Sequence, residues 1–156
     1  MNSALLLWPF WLSLAGCAIG AGMGAYAMVK PGWAAWLVRL RDDPARPGGS
    51  AEFRGTYGGL FFAVHAGAAY FIWTVMDMLS LGDPMALQLG LFTLVPAAAL
   101  AALVWWGTAV GRVISIVFDK NGGAFNYGSV IFELILGALI AAPLLAFLGH
   151  TAPNPG

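Results

Sequence analysis

Few side chains in this sequence can do chemistry in an apolar setting. Glu133 lies inside the apolar run 127–148, and His65 and Asp77 lie inside the run 55–79. Arg54 and Tyr57 open that second run, and Arg112 stands near the end of a third. A carboxylate among apolar residues can pair with a cation, couple ion or proton movement, or hold a ligand. An ionisable group in lipid costs of order 2.5–3.5 kcal/mol on insertion scales, so each needs a partner or a purpose. His65 can shuttle a proton, ligate a metal or bond to a helix carbonyl. A bis-histidine haem is disfavoured, because His150, the other histidine, belongs at the opposite membrane surface. Asp77 falls at the end of its run, where water can solvate it. Cys17 has no histidine or carboxylate near it in sequence. The residues therefore indicate no metal site and no cofactor.

The elements that carry these groups follow from composition. The chain is 60% hydrophobic and only 9% charged, whereas soluble domains carry about a quarter charged residues. Lipid is its natural solvent. The apolar runs predict spans at 5–28, 55–79, 85–111 and 127–148, each near the roughly 20 residues that a membrane helix needs. Backbone groups in lipid must bond within a helix or a closed barrel, and the alternation of barrel strands is absent. The expected fold is an all-α membrane protein, one domain over 1–156, with four transmembrane helices in a bundle. Pro96 and Pro143 should bend helices three and four without ending them.

The loop 30–54 is the one substantial polar segment. Its start, Pro31-Gly32-Trp33-Ala34-Ala35-Trp36-Leu37-Val38-Arg39-Leu40-Arg41, reads as a short amphipathic interfacial helix after the first span. Asp42-Asp43-Pro44-Ala45-Arg46-Pro47-Gly48-Gly49-Ser50 reads as turn and linker, and the tail 151–156 as disordered. All seven basic residues lie in or beside two connections: Lys30, Arg39, Arg41, Arg46 and Arg54 in one, Arg112 and Lys120 in the other. The positive-inside rule makes both cytoplasmic and puts the two termini in the periplasm. Leu14-Ala15-Gly16-Cys17 matches a lipobox, but no Lys or Arg precedes it and the apolar run continues past it, so lipidation is not expected.

Depth and spacing narrow the candidates. Glu133 lies roughly 9 Å in from Tyr127 at 1.5 Å per residue, on the side where Arg54 and Arg112 reside. The expected polar cluster is Arg54, Tyr57, Arg112 and Glu133, with Glu133 paired to Arg112 or Arg54 and a tyrosine hydroxyl from Tyr57 or Tyr127. Such a cluster is either a register clamp or a working site. His65 lies roughly 12 Å past Tyr57, near the midplane. Gly16, Gly20 and Gly24 share one face of helix one, and Ser129, Glu133, Gly137 and Ala141 share one face of helix four; both are small-residue packing stripes.

Phe53-Arg54-Gly55-Thr56-Tyr57-Gly58-Gly59, with Gly111-Arg112 and Glu133, resembles a family of small four-span bacterial proteins known as a domain of unknown function. That family carries an Arg-Gly-x-Tyr-Gly-Gly motif at the start of helix two and a Gly-Arg pair closing helix three. The resemblance implies a bacterial inner-membrane protein and supplies no activity. The residues favour a non-catalytic accessory or scaffold subunit, or a binder of a lipid-like small molecule. The alternative is a small dimeric transporter with Glu133 as its coupling carboxylate. Expected partners are membrane lipid and either a second copy or a larger membrane complex, with no nucleic acid.

Overall fold

A computed structural model describes residues 4–41, 43, 48–120 and 122–151. Residues 42 and 44–47 of the expected linker 42–50 and the tail beyond 151 lie outside the described residues, as does the side chain of His150, whereas Gly49 and Ser50 of that linker are helical. Every regular element among the described residues is helical. The elements are α1 (Ala4–Val29), α2 (Pro31–Leu37), α3 (Gly49–Glu52), a π-helical segment Phe53–Leu60, α4 (Phe61–Ser80), α5 (Ala86–Leu89), a second π segment Gly90–Leu94, α6 (Val95–Phe118) and α7 (Ala124–Thr151). Four stretches are long and apolar enough to cross a membrane: Leu7–Val29, Gly49–Ser80, Gly90–Phe118 and Ala124–Leu144. The chain is an all-α, multi-pass membrane protein.

The helices outrun the apolar runs. The second begins at Gly49, the third continues to Phe118 and the fourth starts at Ala124. Hydropathy marks the depth of hydrocarbon, whereas helical hydrogen bonding continues through the headgroup layer until a residue breaks it. After α4 the break is Gly82, at φ 71. Its N–H donates to Leu79 O and that of Asp83 to Met78 O, which closes the helix with a left-handed glycine.

The chain groups into two compact units, Met1–Gly16 with Ala68–Gly156, and Cys17–Gly67. In the first unit α6 and α7 pack along their lengths. Ala98, Ala101, Ala102, Trp105 and Ala109 are the buried residues of α6, and their spacing puts them on one face. Alanines let another backbone come close, which drives helix association where no hydrophobic effect acts between helices. Leu136 and Ile140 are buried on α7, with Ile72 and Val75 on α4. Pro96 is the second residue of α6, one residue after the π segment, and α6 continues past it. A wide π turn gives the ring room where it would otherwise press on the carbonyl four residues back. Helix α7 also continues past Pro143. One turn earlier, Ser13 Oγ donates to Ile140 O at 2.6 Å. The proline carries no N–H for Leu139 O, and the serine hydroxyl bonds to the next carbonyl of the same turn.

In the second unit α2 starts on Pro31 at its first turn and packs on the π segment. Ala27, Ala34 and Phe53 form its core, with Trp33, Ala35, Val38 and Tyr57 against them. Trp33 also meets Tyr26 edge-on at 5.0 Å between centroids. The buried face of α2 is thus centred on Ala34 rather than on the tryptophans, and Trp36 is 71% exposed. An indole gains as much at a headgroup layer as in a small core, because one end is apolar and the other can bond to water.

Candidate functional site: an ion pair between α6 and α7

Arg112 stands near the end of α6 and Glu133 lies on the inner face of α7. The guanidinium meets the carboxylate side-on. Arg112 Nη2 donates to Glu133 Oε1 at 2.8 Å, and Nε reaches Oε1 at 3.1 Å and Oε2 at 3.3 Å. Nη1 donates to Asn126 Oδ1 at 3.4 Å. The Glu133 side chain is 6% exposed and that of Arg112 28%. This fork matches the planar geometry of a carboxylate, which a lysine could not do. Taking the two charges out of water is costly, and removing one partner costs more still, because the other charge stays behind. The arrangement neutralises Glu133 and fixes α7 against α6.

Residues around the pair set this geometry. Gly137 is one turn from Glu133, and the Trp106 ring occupies the space a β-carbon would need there. Trp106 Nε1 donates to Leu134 O at 3.3 Å, and Trp105 meets Phe132 edge-on at 5.8 Å between centroids. Asn126 gave no signal in the sequence. The available clue is its spacing of seven residues before Glu133, which puts both on one face of α7.

Arg54 and Tyr57 belong to the other unit and have their own partners. Arg54 Nη1 donates to Met28 O. Met28 lies in the last turn of α1, where carbonyls lack helical partners and a cation complements the dipole. Tyr57 meets Phe53 at 5.4 Å between centroids. Tyr127, the other tyrosine considered, is exposed. The whole Arg54-Gly55-Thr56-Tyr57-Gly58-Gly59 motif lies within the π-helical segment. Lengthened turns of this kind often occur at functional sites.

His65 is fully buried in the same unit, and its Nδ1 donates to Phe61 O at 2.7 Å. The imidazole lies on Gly20, where a β-carbon would overlap the ring. At Gly24 a β-carbon would strike the backbone of Phe62 and Gly58 O, and at Gly58 it would come within 2.9 Å of Met28 N. Gly16, in the first unit, faces the side chain of Ile140. Cys17 is buried within α1 and Asp77 is exposed near the end of α4. No group of three or more His, Cys, Asp or Glu residues among those described is placed to hold a metal. No family model, no curated protein and no solved structure matches the chain.

Proposed function

We propose that the protein is a non-catalytic accessory or scaffold subunit, or a binder of a lipid-like molecule, in a bacterial inner membrane. In this reading the basic connections are cytoplasmic and both termini periplasmic. The observation that carries it is the closed Arg112–Glu133 fork. The one carboxylate buried among the described residues of the first unit is engaged through both oxygens. A coupling carboxylate must exchange its counter-ion during turnover, whereas a clamp must keep it. The resemblance of the Arg-Gly-x-Tyr-Gly-Gly motif to small four-span bacterial proteins supports the same localisation.

The test is a charge series read as protein level in membranes and as growth or complex assembly. Glu133→Gln is expected to lower the level, and the exchange Arg112→Glu with Glu133→Arg to restore a good part of it. Assembly should follow the level throughout. If Glu133→Gln left the level normal and still abolished function, the clamp reading would fail and the dimeric transporter would take its place.

A further inference from the structure

The two fully described helix ends that carry a left-handed residue use the same motif with different residues. At the end of α4 that residue is Gly82. At the end of α2 it is Arg39, at φ 59. There the Arg39 N–H donates to Trp36 O and that of Leu40 to Ala35 O, repeating the pattern around Gly82. Glycine adopts this conformation without steric cost, and an arginine does not. Lys120, beyond α6 at φ 53, is the other described residue that keeps a side chain in this conformation, so the backbone alone assigns neither a role.

The surroundings of Arg39 distinguish it. Only Lys30 separates α2 from the end of the first span, and α2 packs on Phe53 and Tyr57 where the second span begins. The helix therefore lies at the level where chain leaves hydrocarbon. Trp36 and Leu40 are exposed there, at 71% and 53%. Lys30 precedes the helix, and Arg39 and Arg41 follow it, all three exposed. The described carboxylates of this unit, Asp43 and Glu52, are exposed as well, and Asp43 follows Arg41 by two residues. Apolar groups at headgroup depth bracketed by cations match a layer whose interior is acyl and whose rim is phosphate.

We propose that the exposed face of α2, with Lys30, Arg39 and Arg41, binds anionic phospholipid headgroups. Trp36 and Leu40 seat it at the acyl boundary, and the three cations pair with lipid phosphates. The proposal rests on the spanning helices alone, whatever the Arg112–Glu133 pair does.

The test is native mass spectrometry of the full chain released from nanodiscs of equal phosphatidylglycerol and phosphatidylcholine. The wild type should retain phosphatidylglycerol in excess, less so as salt rises. Each of the three charges removed should lower that excess, by about five-fold at most. The triple variant Lys30→Gln, Arg39→Gln, Arg41→Gln should lose it, while Lys120→Gln should keep it. Arg39→Gly supplies a variant that relieves the backbone, so it should fold at least as well as wild type and still lose part of the excess. An excess unchanged in the triple variant would overturn the proposal, as would equal loss with Lys120→Gln. So would Arg39→Gly keeping its full excess, or a co-purifying protein that the triple variant releases.

Discussion

The two units place polar groups in an apolar setting by different means. Only the first adds a charge pair: Arg112 forks onto Glu133 across two long helices, beside the bonds that Ser13 and Trp106 make to backbone carbonyls. In the second, polar side chains bond to backbone. Arg54 reaches the last turn of α1, His65 bonds to the carbonyl one turn before it, and glycines bring the helices to touching distance. A charge pair is costly to bury and costly to break. A side chain bonded to a carbonyl uses acceptors that every helix already has, so it adds position without adding net charge. The first arrangement can hold one specific pair of helices. The second relies on shape, and its tolerance depends on what each glycine faces.

Breaking the pair should have the largest effect. Glu133→Ala strands a guanidinium and should destabilise the protein by about 3 kcal/mol, measured as unfolding in mixed micelles. An effect no larger than that of an exposed substitution would make the pair incidental. The glycines should then form a graded series. Gly24→Ala meets backbone, which cannot yield, and should cost about 2 kcal/mol. Gly16→Ala meets Cγ1 of the buried Ile140, a side chain that can yield only in part, and should cost about 1–2 kcal/mol. Gly22→Ala meets nothing and should fall within about 0.5 kcal/mol of wild type. Equal costs at Gly24 and Gly22 would mean that shape does not govern the second unit. The sharpest test is a coupling. Gly20→Ala should be costly with His65 in place and nearly neutral beside His65→Ala, a coupling of about 1 kcal/mol in a double-mutant cycle. Additive costs would mean that the imidazole is not what keeps position 20 small.

The spans and the fold class could be read from the sequence because lipid imposes one rule on every residue: backbone must bond internally, so apolar length implies helix. The buried face of α7 was readable for a similar reason, since Glu133, Gly137 and Ala141 recur every four residues. Which arginine takes Glu133 was not. Arg54 and Arg112 both lie at span ends on the same expected side, and depth alone does not distinguish them. The π-helical segment was hidden as well. A turn widened by one residue leaves composition untouched, and the motif glycines suit an α-helix start equally well. The interfacial character of α2 was readable from its tryptophans, but the residue it buries was not. At a membrane surface, the residue that buries best against a close neighbour is the small one, Ala34.

The Arg112–Glu133 pair also bears on how the chain enters a membrane. Its members are 21 residues apart on consecutive helices. They leave the ribosome close together, with the cation first. By the time the carboxylate of α7 must part from water, its partner is already synthesised and one short turn away. Helices α6 and α7 therefore form the natural packet for insertion, a hairpin that presents lipid with a neutral pair instead of two successive ions.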